Sequence, residues 1–193
     1  VWFVIYMGLF GFLEIVPPKE VHLIHCALDD MIPHMAVFIY PYVSWFPYIV
    51  VCAYLAIKNL DDRQFKKAVL VLTTGMNIFL FISFVWPTGL NLRESIVYDL
   101  HTLSGNLLKF VQTVDTPKSV FPSMHVYVTL VLQYTLEMQK KLIPSWGIWV
   151  GRVLAVLIVL STMFTKQHSV LDVSAAIVMF AVLVVVVEKI VKK

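Results

Sequence analysis

The chain has 193 residues, of which 60% are hydrophobic and only 14% charged, with a mean hydropathy of +0.84. Soluble domains are near half apolar and about a quarter charged, so this composition excludes a soluble globular protein and indicates an integral membrane protein. The net charge of +3 is too small to imply a nucleic-acid partner, and it suits lysines set at the edges of a bilayer. Cys26 and Cys52 are the only cysteines; two make neither a disulfide framework nor a zinc pattern, and both read as buried bystanders.

A membrane-crossing helix needs about 20 apolar residues. In chain order, six segments qualify, over approximately 1–16, 32–57, 67–86, 122–138, 145–165 and 168–190. The expected fold is all-α, a polytopic bundle of about six transmembrane helices forming one domain over 1–193. The first segment is short and is expected to begin upstream of Val1. It has no basic start and no small-residue cleavage site, so it reads as a span rather than a signal peptide. The last two segments are almost contiguous and predict a tight helical hairpin around Lys166 and Gln167. Within the long loop over 87–121, Ile96, Val97, Leu100, Leu103, Leu107, Leu108, Val111 and Val114 recur every three or four residues, which predicts a short amphipathic helix at the interface.

Charge sets the orientation. Lys58, Arg63, Lys66 and Lys67 follow the second span, Lys140 and Lys141 the fourth, and Lys189, Lys192 and Lys193 end the chain. With six spans these groups share one side, which the positive-inside rule makes cytoplasmic. Arg93, Lys118, Ser123, His125, Lys166 and His168 then converge on the opposite, non-cytoplasmic face.

Two histidines at the lips of apolar spans carry the chemistry, because a bilayer disfavours ionisable side chains unless they serve a purpose. His168 and Asp172 are four apart and share a helix face. A carboxylate there can hold one imidazole nitrogen and leave the other as a base or nucleophile. The same spacing also suits a polar pair that simply satisfies itself inside a bundle. His125 follows Pro122, a residue favoured in a first helical turn. A helix starting there turns free N–H groups and its positive dipole end outward, suited to a phosphate; Ser123 adds a hydroxyl and His125 can act as general acid. Standing alone, His125 also fits an interfacial histidine at the start of a span. Arg93 and Lys166 supply positive charge for phosphoryl oxygens, whereas Lys118 reads as a headgroup-facing charge.

Other features rank lower. His22, His25, Asp29, Asp30 and His34 cluster near one loop, but their spacing matches no zinc or calcium loop, and solvated loop residues are the preferred reading. Asp29, Asp30 and Pro33 also suit the start of the second span. Asp99 and His101 neighbour the candidate site as possible supports. Tyr40, Tyr42, Trp45, Phe46 and Tyr48 read as an interfacial aromatic belt and packing. There is no glycine-rich nucleotide loop.

Pro122-Ser123-Met124-His125 and Ser161-Thr162-x5-His168-x3-Asp172 resemble two of the three motifs of the type 2 phosphatidic acid phosphatase (PAP2) superfamily of membrane lipid phosphatases and phosphotransferases: Pro-Ser-Gly-His and Ser-Arg-x5-His-x3-Asp. The resemblance implies six helices with the site at their non-cytoplasmic end. It implies His168 as nucleophile, Asp172 as its orienter, His125 as general acid, Ser123 as phosphate ligand, and no metal or other cofactor. Three positions depart from the pattern. Thr162 stands where the family has arginine, with Lys166 nearby as a substitute cation, and Met124 replaces the motif glycine. The first motif, Lys-x6-Arg-Pro, is reduced to Trp86-Pro87-Thr88-Gly89-Leu90-Asn91-Leu92-Arg93-Glu94, which keeps the arginine alone.

The expected activity is metal-independent hydrolysis of a membrane lipid phosphate or diphosphate monoester, of phosphatidate or polyprenyl diphosphate type, through a phosphohistidine. The alternative is a lipid phosphotransferase of the inositol-phosphoceramide synthase type, which passes the group to an alcohol; Met124 resembles that branch. A third reading, a non-catalytic lipid-binding relative, is motivated by the missing arginine and lysine. In all three the partner is the lipid bilayer and its lipids, not nucleic acid.

Overall fold

The computed structural model describes residues 1–16, 20–94 and 96–191; Lys192 and Lys193, used above for orientation, lie outside the described residues. Its helices are α1 (Trp2–Ile15), α2 (Ala27–Met31), α3 (Ile39–Val43), α4 (Trp45–Asn59), α5 (Asp62–Val85), α6 (Leu103–Val114), α7 (Met124–Met138), α8 (Ser145–Phe164) and α9 (Val170–Ile190). One short parallel pair joins β1 (His22–Leu23) to β2 (Thr88–Gly89). The expected all-α membrane bundle is what forms, and this is a membrane protein.

Four segments are long and apolar enough to cross a bilayer: Ala36–Asn59, Asp62–Val85, Ser145–Phe164 and Val170–Ile190. α1 and α7 occupy the remaining two expected places with 14 and 15 residues. At 1.5 Å per residue each reaches only roughly 22 Å of the roughly 30 Å hydrocarbon core. α7 tolerates this because α4, α5, α8 and α9 all pack against it. Two expected starts also move. Ile32 is held extended ahead of Pro33, as the residue before a proline tends to be, so the second span begins at Ala36 rather than 32. The third begins at Asp62 rather than 67, because Asp61 and Gln64 form a reciprocal capping box and the basic residues ride inside the helix.

The core lies on both sides of α7. Val71, Val126, Tyr127, Val131, Val173 and Ala176 join it to α5 and α9; Tyr48, Cys52, Leu132, Leu136, Ile148 and Ile158 join it to α4 and α8. Valines and phenylalanines on the outer helix faces stay exposed, such as Phe81, Phe84, Val178 and Val182, as a bundle solvated by lipid permits. At one end, Asn59 meets Gln139, Arg63 reaches the Val191 carbonyl, and Lys67 pairs with Glu188. The other end gathers α2, α3, α6, the start of α7 and the α8–α9 turn. The predicted amphipathic helix is α6: Leu108 is buried against Ile39 and Tyr42, while Leu103, Phe110 and Val114 remain exposed.

Candidate active site

The α8–α9 turn places the first histidine. Lys166 adopts the left-handed conformation (φ 57°), and the amides of Lys166 and Gln167 bond back to the carbonyls of Met163 and Thr162, ending α8 in a Schellman motif. The His168 amide also reaches Thr162. α9 then starts at once on a Ser169/Asp172 capping box. Asp172 therefore does two things with one oxygen. Its Oδ2 accepts the Ser169 amide at 2.9 Å and lies 3.3 Å from His168 Nδ1. Asp172 is fully buried, and its Oδ1 has no hydrogen-bond partner. With Nδ1 committed to the carboxylate, Nε2 is the nitrogen left to His168 for chemistry.

α7 delivers the second. Ser123 is its N-cap: the hydroxyl accepts from the Val126 amide, and the Ser123 amide donates to the Asp172 carbonyl at 3.1 Å. That bond ties the two motifs together across the bundle, and the His125 and His168 rings stand 5.7 Å apart between centroids. Met124, in place of the motif glycine, packs against the α5–α7–α9 core. Thr162, in place of the motif arginine, is buried with its hydroxyl on the Val159 carbonyl of its own helix.

The two expected cations sit differently. Lys166 Nζ donates to the carbonyls of Asp29 and Ile32, both at 2.6 Å, so it ties the α8–α9 turn to α2. Arg93 donates from Nη1 to the Asp115 carbonyl at 2.6 Å, and its buried Nε has no partner. Burial pushes the Arg93 guanidinium below its ordinary value, opposed chiefly by the adjacent Asp115 carboxylate. Gln167, beside the nucleophile candidate, is 1% exposed with both amide atoms unpartnered. Lys118 is exposed, and its backbone bridges to Gly89.

Four residues sit in places other than those the sequence suggests. Tyr42 and Tyr48 are buried and hydrogen-bonded inside the bundle rather than forming a belt. The Tyr42 hydroxyl donates to the Asp115 carboxylate and lies 3.0 Å from His125 Nε2. The Trp45 ring lies tilted against the His125 ring, with centroids 4.5 Å apart. Asp29 is no solvated loop residue but 2% exposed; it accepts the Ser169 hydroxyl at 2.6 Å and the Val170 and Cys26 amides at 2.8 Å. Its neighbours disperse, His25 pairing with Asp30 and His22 packing its ring against Trp86. Among the described residues no three His, Cys, Asp or Glu side chains converge as a metal site.

A buried imidazole–carboxylate pair facing a second imidazole is an arrangement for covalent transfer with acid–base assistance. The family model described as the PAP2 superfamily matches residues 26–186, and the chain belongs to that superfamily. Membership makes it a phosphatase-type lipid phosphoesterase. No curated protein and no solved structure matches the chain significantly.

Proposed function

We propose that the chain hydrolyses a lipid phosphate or diphosphate monoester, of phosphatidate or polyprenyl diphosphate type, through a phosphohistidine at residue 168. The observation that carries this reading is the His168–Asp172 pair with His125 beside it, at a ring separation of 5.7 Å. His168 Nε2 attacks phosphorus as the bond to the lipid oxygen breaks. Asp172 stabilises the positive charge that grows on the imidazole, and His125 gives its proton to the leaving oxygen. Water then attacks the phosphohistidine while the neutral His125 accepts its proton; phosphate departs and His168 is regenerated. Arg93 offers its unpartnered Nε–H to the phosphoryl oxygens and Ser123 its hydroxyl, while Lys166 commits its ammonium to the α2 carbonyls and holds the turn that carries the nucleophile. By the positive-inside rule the site opens on the non-cytoplasmic face, where the lipid reaches it from within the bilayer.

The experiment is phosphate release by detergent-purified protein from phosphatidate and a polyprenyl diphosphate, beside His168→Ala. Release by the native protein and none by the variant supports the reading; release that survives the substitution counts against it. A second reading, transfer to a lipid or polyol alcohol, is favoured by Met124 in the glycine position. Product analysis with added alcohols separates the two, because a new phosphorylated lipid or an exchanged headgroup forms only by transfer. A non-catalytic lipid-binding relative would give neither product.

A further inference from the structure

Tyr42 lies 83 residues from His125 and 73 from Asp115 along the chain, yet its hydroxyl joins them. A phenol has one proton to give. Here it goes to the Asp115 carboxylate, so toward His125 the Tyr42 oxygen can only accept, and the proton between them belongs to His125 Nε2. The tyrosine is 2% exposed and its ring lies tilted against the histidine, with centroids 4.8 Å apart. Asp115 is fixed in turn, because Arg93 Nη1 binds its backbone carbonyl. Every partner needed for a directed chain is therefore present.

We propose that Asp115 and Tyr42 are positioning residues for the acid–base histidine: the carboxylate, acting through the phenol, holds His125 as the Nε2–H form and stabilises its imidazolium, leaving Nδ1 to exchange the proton with the substrate. This inference rests on the phosphatase reading above for its substrate. In the first half-reaction the Nδ1–H bond breaks and its proton passes to the lipid oxygen, the electron pair staying on Nδ1, while the Nε2–H stays on Tyr42. In the second half Nδ1 takes a proton from water and the imidazolium is restored. The titratable and charged groups that face this imidazole are Tyr42, hydrogen-bonded to Nε2, Asp115 behind it, and His168 and the Arg93 guanidinium. Trp45, the remaining ring against His125, carries no charge. His168 thus has a direct carboxylate and His125 a carboxylate reached through a phenol.

The test compares kcat/KM, which reports only the steps up to release of the first product, for native protein, Tyr42→Phe and Asp115→Asn. Phosphatidate has a poor alkoxide leaving group that needs a proton, and p-nitrophenyl phosphate has a good one that does not. A positioned general acid contributes on the order of 10²-fold or more. Each variant should lose about that factor on phosphatidate and little on p-nitrophenyl phosphate, and the double variant should lose no more than either single one. The alkaline limb of the phosphatidate profile should also move to lower pH, because an imidazolium without its carboxylate yields its proton sooner. Equal losses on both esters, or none on either, would overturn the relay and leave Tyr42 a packing residue. If Tyr42→Phe does not fold, Asp115→Asn carries the comparison. If the native protein turns over neither ester, the phosphatase reading falls, and ¹⁵N-histidine NMR still decides the relay. An Nε2–H tautomer at His125 that is lost in Tyr42→Phe supports it, and an Nδ1–H tautomer in the native protein refutes it.

Discussion

The carboxylate of Asp29 accepts the Ser169 hydroxyl at 2.6 Å, although 140 residues separate them. With the Val170 amide on its other oxygen, Asp29 caps α9 from outside, one turn from Asp172, which caps it from within. The helix that holds His168 against its carboxylate therefore begins on a fixed point supplied by α2. Lys166, bonded to the α2 carbonyls from the same turn, locks the joint from the other side.

Substituting Asp29 should loosen this joint. Burial alone pushes its carboxyl up, but hydrogen bonds from Ser169, Val170 and Cys26 outweigh it and hold the group below the usual carboxylate range. A carboxyl depressed in the folded state contributes stability that is present above its unfolded value, about 3.9, and lost as pH falls through the folded value. Asp29→Asn should cost about 1.5–3 kcal/mol at neutral pH, seen as a lower Tm in detergent. The gap from the native protein should narrow on acidification below about pH 4. A gap that is constant down to acidic pH would contradict the assignment.

Lys166 separates backbone strain from side-chain bonding. Its left-handed conformation costs a non-glycine residue roughly 1–2 kcal/mol, while its ammonium bonds two carbonyls. Lys166→Ala keeps the strain and loses the bonds, so it should be the least stable variant. Lys166→Gly should recover about 1 kcal/mol of that loss. Equal Tm values for the two would show that the strain is absent.

Gly75 on α5 lies directly against the Tyr127 side chain of α7. A Cβ there would sit 2.1 Å from Cζ and 2.3 Å from the hydroxyl of Tyr127, whose O–H is anchored on the Val71 carbonyl at 2.5 Å. Gly75→Ala should cost about 1–3 kcal/mol by overpacking, and Tyr127→Leu added to it should return part of that loss in the same thermal assay. Two losses that simply add would contradict this contact.

What the sequence made legible is whatever rides on local spacing. His168 and Asp172 are one turn apart on one helix, and Ser123 stands where a helix begins, so both motifs were readable from their own neighbourhoods. α6 was visible for the same reason, through its apolar period. Tyr42, Asp115 and Asp29 were not, because each gains its meaning from partners 73 to 141 residues away. A tyrosine in an aromatic-rich span looks like belt, and an aspartate among histidines looks like loop. Lys166 was read by its charge, whereas the side chain goes where a Schellman turn and two carbonyls direct it. One local signal was open to reading: Ser169-x-x-Asp172 has capping-box spacing, which gives Asp172 a helix-starting task beside its histidine.

The two histidines should also leave a pH signature. Phosphoryl transfer needs His168 neutral to attack and His125 protonated to assist, so the rate should be bell-shaped in pH. Because the nucleophile is an imidazole prepared by a carboxylate, full activity should persist in EDTA. A rate flat from mildly acidic to alkaline pH would contradict the acid–base assignment, and activity lost to EDTA and restored by a divalent ion would contradict the metal-free mechanism.

The central claim is covalent, so the most direct measurement is to trap the intermediate. Protein mixed with ³²P-phosphatidate and quenched in alkali should carry label that survives base, is released by acid, and maps to residue 168. The label should be absent from His168→Ala and should accumulate in His125→Ala when a p-nitrophenyl ester replaces the lipid, since release to water then lacks its base. Phosphate release without any labelled histidine, or label that persists in His168→Ala, would contradict the account.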